Sequence, residues 1–136
     1  MRKFKALGML TFVVFVMAAC TGYDTFPTGE SKGIDDSESL KALIDSGATV
    51  GEGEYRIVDV RPNRKYKKGH IPTAINIPNG DVAASGEDLP KDKKIILYCE
   101  TGGRAQSAAK KKLAPAGYSR IYNWGGFGRW KGEPEK

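Results

Sequence analysis

The spacing of hydrophobic and polar residues alternates along the chain between a helical period and patterns typical of strands. Leu40, Leu43 and Ile44 follow the i, i+3, i+4 spacing of an amphipathic helix, which predicts a helix over residues 36–45. Apolar, β-branched and aromatic residues cluster in four other segments, which are predicted strands over 55–60, 74–77, 94–99 and 118–123. Residues 94–99 are almost continuously apolar, so we expect them to form the central, buried strand.

Helical and turn segments separate the predicted strands. A basic stretch over 63–68 is predicted to be a helical turn that ends at Gly69, and residues 104–113 are predicted to form a helix with alanines on one face. Residues 124–126 are expected to turn away from the last strand. Strands that alternate with helices favour βαβ units. The pattern therefore predicts an α/β fold in which helices flank a mostly parallel central sheet on both faces.

The first twenty residues follow a pattern of their own. Three basic residues precede an apolar run over 6–17, and small residues lead into Cys20. The run is shorter than the about 20 apolar residues of a transmembrane helix, and its layout is that of a secretory signal peptide. Residues 17–20 resemble the lipobox of bacterial lipoproteins, which implies a lipoprotein signal peptide over 1–19 and a lipid on Cys20. An uncleaved anchor or a buried first helix is the alternative.

The resemblance to lipoproteins also implies a location. The protein would be exported and held at the membrane by the lipid on Cys20, on the periplasmic or outer-surface side of the cell envelope. Residues 20–33 are rich in Gly, Thr, Ser and Pro and lack apolar periodicity, which predicts a flexible tether. A folded domain over 34–131 and a polar tail over 132–136 complete the predicted organisation, since 136 residues suit one domain.

Composition and charge narrow the possible functions. The 22 basic and 16 acidic residues give a net charge of +6, but three of the basic residues lie in the predicted signal peptide. The net charge of +3 that remains does not favour a nucleic acid as a partner. Two cysteines and one histidine cannot build a four-ligand zinc site, so we expect no metal.

Candidate chemistry is concentrated after the predicted central strand, which ends at Cys99. The five residues that follow are Glu100, Thr101, Gly102, Gly103 and Arg104. Ligands of open parallel sheets bind beyond the carboxyl ends of strands. A short loop with glycines can turn successive backbone N–H groups toward one centre, and Arg104 adds positive charge. Such surroundings favour the thiolate of Cys99, which makes it a candidate nucleophile.

Residues 99–104 resemble the active-site loop of the rhodanese sulfurtransferases. Three more segments resemble motifs of that family and occur in the family's order. They are Asp59-Val60-Arg61, the stretch from Gly69 to Pro78, and Gly125-Gly126 followed by Trp130. The resemblance extends over residues 34–130 and implies the rhodanese-like three-layer fold, with a mostly parallel central sheet flanked by helices.

The resemblance further implies a reaction. Cys99 would attack the outer sulfur of a small anionic donor, such as thiosulfate, a persulfide or a polysulfide, and would carry that sulfur as a persulfide. A thiophilic acceptor, such as cyanide, a thiol or a protein, would then remove it in a second nucleophilic step. Backbone N–H groups of residues 100–104 would stabilise the sulfur, and no cofactor would be needed. Asp59 and Arg61 would form a supporting ion pair near the site, and the alternative is that they contact the substrate.

Two other functions compete with sulfur transfer. One is a catalytically idle rhodanese domain that serves as a binding module tethered to the envelope. The other is a cysteine-based phosphatase or arsenate reductase, but the loops of those enzymes have five residues between Cys and Arg. Here four residues separate Cys99 from Arg104, and the tighter loop suits a single sulfur atom. Within this loop the negative charge of Glu100 is expected to oppose the thiolate and to repel doubly charged thiosulfate.

Overall fold

Four parallel strands and the helices between them make up residues 36–82 and 89–136, the part of the chain that this computed structural model describes. The predicted signal peptide, Cys20 and the tether over 20–33 lie outside the described residues. The elements follow one another as α1 (Ser37–Asp45), β1 (Tyr55–Asp59), α2 (Asn63–Lys68), β2 (Ile75–Asn76), β3 (Lys94–Cys99), α3 (Gly103–Ala108), a π-helical segment (Ala109–Leu113), β4 (Ile121–Gly126) and a 3₁₀ turn (Phe127–Arg129).

The strands are arranged in the order β2-β1-β3-β4, and every neighbouring pair is parallel. β3 lies between β1 and β4 and is buried along its whole length, as its continuous apolar character predicts. Because all four strands run in one direction, their carboxyl ends meet at one edge of the sheet. The predicted α/β fold with a parallel central sheet is confirmed.

Side chains alternate along β3 between two hydrophobic clusters, one on each face of the sheet. Leu97 and Cys99 pack with the alanines of α3 and the π-helical segment. Ile96 and Tyr98 pack on the opposite face with Leu40 of α1 and the aromatic residues near the end of the chain. Helices therefore cover both faces, and the last two residues of β3 point in opposite directions.

Both ends of α1 are explained by local interactions. At its start, the Asp36 carboxylate accepts the backbone N–H of Ser39 at 2.7 Å, and these hydrogen bonds lower the pKa of Asp36. At its end, Gly47 takes a positive φ of 80° and stops the helix. Between the ends, Leu40 is fully buried, and burial of such a side chain contributes about 1.5–3 kcal/mol.

The last strand lies further along the chain than the sequence pattern predicts. The prediction that residues 124–126 turn away from the sheet is wrong, because β4 continues through Gly126 beside β3. The register shifts between Leu97 and Tyr98, and Gly125 takes a φ of 104° at that irregularity. Trp124 is buried in the core. A glycine pair that resembles a turn in sequence thus forms a bulged strand end.

The helix predicted over 104–113 is divided in the structure. α3 ends at Ala108, and Ala109–Leu113 continues with the wider π-helical geometry. The N–H of Ala114 donates to the carbonyl of Ala109 at 3.0 Å, five residues earlier.

No helix among residues 36–82 and 89–136 combines the length and apolar character needed to cross a membrane.

The end of the chain contacts the segment after α2. Glu135 and His70 exchange two backbone hydrogen bonds of 2.9 Å. The His70 ring stacks on Tyr66 with 3.7 Å between ring centroids, and its Nδ1 lies 3.0 Å from the Tyr66 carbonyl oxygen. These contacts indicate that His70 holds the end of the chain against the segment after α2.

Candidate active site

Cys99 is the last residue of β3, and its side chain is 1% exposed. The Sγ atom accepts the backbone N–H of Gly102 at 3.0 Å, which means that the chain after Cys99 curls back toward the sulfur. Hydrogen bonds from N–H groups stabilise negative charge on an acceptor, and more strongly when the acceptor is ionised. We call residues 99–104 the thiol loop.

Close backbone contacts fix the shape of the thiol loop. Gly102 takes a φ of 96°, and a Cβ atom at this position would lie 3.3 Å from the Cα atom of Gly125. A Cβ atom at Gly126 would overlap the carbonyl oxygen of Glu100. The end of β4 thus packs directly against the loop backbone. This close contact requires that positions 102, 125 and 126 have no side chain.

Asn123 ties the thiol loop to β4 and was missed by the sequence analysis as a site residue. Its Nδ2 donates to the Gly102 carbonyl at 3.1 Å and to Oε1 of Gln106 at 3.2 Å. Its Oδ1 accepts the N–H of Gly125 at 3.0 Å. The sequence feature that could have identified Asn123 is its polar side chain at the end of an apolar strand segment, directly before the Trp-Gly-Gly run.

Asp59 and Arg61 form the predicted ion pair at the end of β1. The Arg61 Nη2 donates to Oδ2 of Asp59 at 2.7 Å and to the Gly69 carbonyl at 2.7 Å, and its Nε contacts both carboxylate oxygens. Both side chains are buried. Burial alone lowers the pKa of Arg61, but the hydrogen bonds and the charge of Asp59 outweigh it and raise that pKa above its usual value.

Tyr98 and Phe127 complete the surroundings of this pair. The Tyr98 hydroxyl donates to Oδ2 of Asp59 at 2.9 Å and accepts the N–H of Ile71 at 3.0 Å. Burial and the negative charge of Asp59 raise the pKa of Tyr98 well above its usual value, so this phenol stays neutral. The Phe127 ring lies 4.3 Å from the guanidinium carbon of Arg61. We call Asp59, Arg61 and Tyr98 the ionic cluster.

The side chain of Cys99 and the ionic cluster lie on opposite faces of the sheet, because the neighbouring residues Tyr98 and Cys99 of β3 point in opposite directions. The ionic cluster reaches the thiol loop through Glu100, whose Oε1 lies 3.5 Å from Nη1 of Arg61 and 3.6 Å from Nζ of Lys65. The acidic side chain that was expected to oppose the Cys99 thiolate is therefore paired with two cations.

The other predicted loop residues point toward solvent. Thr101, Gly103 and Arg104 are exposed. Arg104 lies in the first turn of α3, and its side chain makes no hydrogen bond or ion pair with the residues that the structure describes. The stabilisation of the Cys99 thiolate by the positive charge of Arg104 stays a prediction. Within residues 36–82 and 89–136, no three side chains of the His, Cys, Asp or Glu type converge on a point where a metal ion could bind.

Comparison with known proteins identifies relatives of the same architecture. The sequence pattern of the Rhodanese-like domain matches residues 36–133. The chain is 32% identical to a thiosulfate sulfurtransferase of Pseudomonas syringae, over 69% of this chain and 82% of that protein. It is 31% identical to a sulfurtransferase of Allochromatium vinosum, over 70% of this chain and 84% of that protein.

A solved structure agrees with these sequence matches. The rhodanese-like domain of an Anabaena protein superimposes with a TM-score of 0.62 at 28% identity, and the match covers 76% of this chain and 78% of that chain. The family match includes the thiol loop, the ionic cluster and the glycine pair of β4. The chain therefore belongs to the family of rhodanese-like domains, whose relatives here include proteins named as sulfurtransferases.

Proposed function

We propose that the protein is a sulfurtransferase that carries sulfane sulfur on Cys99 as a persulfide. The observation that carries the proposal is the buried Sγ at the carboxyl end of the central strand, with the Gly102 N–H directed at it at 3.0 Å. The relatives named as sulfurtransferases support the same class of reaction. The donor would be thiosulfate, a persulfide or a polysulfide, and the acceptor would be cyanide, a thiol or a protein thiol.

The first half-reaction needs a thiolate and a leaving group but no metal or organic cofactor. The Cys99 thiolate attacks the outer sulfur of the donor, a new S–S bond forms, and the donor's own bond to that sulfur breaks. The bonding electrons leave with sulfite, if thiosulfate is the donor, or with a thiolate, if a persulfide is the donor. The Gly102 N–H stabilises negative charge on Sγ before the attack.

The second half-reaction returns the enzyme to its starting state. The acceptor attacks the outer sulfur of the persulfide, and the electron pair of the broken S–S bond returns to the Cys99 thiolate. The glycines under the loop and Asn123 hold the backbone donor in place in both steps. Asp59 and Arg61 position the loop from the opposite side through Glu100.

Whole-protein mass spectrometry tests the proposal. The purified protein is incubated with a panel of sulfur donors, and we expect wild type to gain the mass of one sulfur atom and to lose it again on addition of cyanide. Cys99→Ser should gain none. Absence of an adduct with every donor would reject the proposal and favour the idle binding module, and turnover of a phosphate ester without any adduct would favour the phosphatase.

We also propose that the protein is a lipoprotein held at the cell envelope by a lipid on Cys20. The support is the sequence of residues 1–20, in which a basic head and an apolar run precede small residues and a cysteine. Cells that express the full chain should incorporate radiolabelled palmitate into it, and Cys20→Ala should abolish the label. Label that persists in Cys20→Ala would reject the lipid site.

A further inference from the structure

Glu100 directly follows Cys99 in the chain and brings an acidic side chain into the thiol loop. Its backbone is held because its carbonyl oxygen packs against Gly126, where no Cβ atom would fit. Its carboxylate lies between the buried Arg61 and the half-exposed Lys65, at 3.5 and 3.6 Å. Both the backbone and the carboxylate of Glu100 are therefore held in place in the thiol loop.

The cations near Glu100 are not available to a substrate. Arg61 already binds Asp59 through Nε and Nη2, and the remaining Nη1 faces Glu100. Lys65 contacts the same carboxylate oxygen of Glu100. The carboxylates of Asp59 and Glu100 therefore neutralise both cations, which offer no net positive charge to a donor. Arg104, exposed at the far end of the thiol loop, is the cation there that no carboxylate of the described residues contacts.

This charge balance distinguishes between donor classes. Attack of the Cys99 thiolate on thiosulfate brings together three negative charges, and the products are a Cys99 persulfide anion and a sulfite dianion. Attack on a neutral hydropersulfide R–S–SH forms Cys99–S–SH and releases R–S⁻, so one negative charge is present throughout. Attack on the ionised donor R–S–S⁻ forms the Cys99 persulfide anion and R–S⁻, with two negative charges, still one fewer than with thiosulfate. In both reactions one S–S bond forms and one S–S bond breaks, and the electron pair leaves with the donor. Because the Glu100 carboxylate neutralises cations that would otherwise attract a dianion, it disfavours the reaction with thiosulfate far more than the reaction with a hydropersulfide.

We propose that Glu100 is a specificity-determining residue that directs the site to donors with at most one negative charge, namely hydropersulfides, and away from dianionic thiosulfate. The inference rests on the proposed sulfur transfer through Cys99. It names the substrate class of that same site, and Arg61 and Lys65 act as positioning residues for the Glu100 carboxylate.

The test measures rates of sulfur loading onto Cys99 by rapid quench and whole-protein mass spectrometry. The donors are thiosulfate and the hydropersulfide of 2-mercaptoethanol, in which the S–SH is the ionisable group that matters near neutral pH. In Glu100→Gln we expect the ratio of the thiosulfate rate to the hydropersulfide rate to rise about tenfold, because the loss of one negative charge favours a dianion more than a donor with at most one charge. High salt, about 1 M, should shrink that increase, since it screens exposed charges.

Two further variants separate charge from structure. Glu52→Gln removes the same charge from an exposed turn before β1, at the opposite edge of the sheet, and should leave the ratio unchanged. Lys65→Gln removes a partner of the Glu100 carboxylate and should lower the ratio. It also provides the test if Glu100→Gln does not fold.

The outcomes distinguish failure of the inference from failure of the function. No adduct on wild type with either donor would reject the proposed sulfur transfer itself. Adducts from both donors, with a ratio that Glu100→Gln leaves within about twofold of wild type, would reject the role of Glu100 and leave sulfur transfer standing. Equal changes for both donors would likewise reject it, because they would indicate a structural effect on the loop.

Discussion

The thiol loop and the ionic cluster lie at the same edge of the same sheet but are held by different interactions. The thiol loop is held by backbone contacts, with glycines at positions 102, 125 and 126 and an amide from Asn123. The ionic cluster is held by buried charges and hydrogen bonds among Asp59, Arg61 and Tyr98. The loop therefore leaves its thiol free to react, whereas the groups of the cluster are already engaged with one another.

The difference indicates that the ionic cluster mainly stabilises the fold, whereas the thiol loop mainly positions the reactive group. Charged side chains that are buried and fully paired have no free group to offer a substrate. Removing one partner of such a pair strongly destabilises the fold, because the other charge stays buried and unpaired. A loop fixed by shape contributes less to stability, yet it directs an N–H group at a reactive atom. Mutations in the cluster should therefore affect mainly stability, and mutations in the loop should affect mainly sulfur loading.

The largest effect on stability is expected for Arg61→Met. This change leaves Asp59 buried without its cation, and we expect the free energy of unfolding to fall by about 3–5 kcal/mol. Urea denaturation followed by circular dichroism measures the loss. The molecules that remain folded should still load sulfur onto Cys99, and a loading defect as complete as that of Cys99→Ser would contradict these separate roles of the cluster and the loop.

A smaller effect on stability and a larger one on loading are expected for Gly126→Ala. The new Cβ atom would overlap the Glu100 carbonyl, so the thiol loop must move, at a cost of about 1–3 kcal/mol. Gly128→Ala is the matched control, since a Cβ atom at Gly128 meets nothing within 4 Å. Sulfur loading should fall in the first variant only, and equal loading in both would show that the loop tolerates displacement.

Asn123→Ala should weaken the same loop without adding bulk. It removes the hydrogen bonds to Gly102, Gln106 and Gly125, and we expect a stability loss of about 1–2 kcal/mol together with slower loading. Asn63→Ala removes one exposed amide hydrogen bond, to Asn76, and serves as the control. Wild-type loading by Asn123→Ala would remove Asn123 from the positioning residues.

The smallest effect is a pH dependence of the ionic cluster. The folded-state pKa of Tyr98 is raised above the unfolded value of 10.0, so its contribution is fully present below about pH 10 and is lost as the pH rises beyond it. Each pH unit in that range should cost up to about 1.4 kcal/mol. Tyr98→Phe removes this slope, although it lowers stability at neutral pH. Urea titrations at pH 9, 10 and 11 compare the two proteins, and parallel slopes would refute the assignment.

The thiol loop shows how far local sequence information reaches. Residues 94–99 are apolar enough to be identified as the central strand, and the glycines after Cys99 mark a loop before a helix. The ion pair of Asp59 and Arg61, which is expected from the sequence, joins residues only two positions apart. These features depend on neighbours within a few positions, which makes them predictable.

Other features depend on contacts between distant segments. Gly125 and Gly126 resemble a turn until β3 is placed beside them, where they become the bulged end of β4. Asn123 looks like an ordinary strand residue until the Gly102 carbonyl comes within 3.1 Å of its amide. Neither result follows from hydrophobic periodicity, because the register of parallel strands is set by packing across the whole sheet.

The sequence by itself determined that a lone thiol within the predicted domain ends the most buried strand and precedes a loop with two glycines. Strand period and glycine conformational freedom are local properties, so they can be recognised without the fold. The tertiary structure alone decided that Glu100 meets Arg61 and Lys65, which precede it by 39 and 35 positions. The net charge around Glu100 is a sum over side chains that folding brings together, and it therefore depends on the arrangement of β1, α2 and β3.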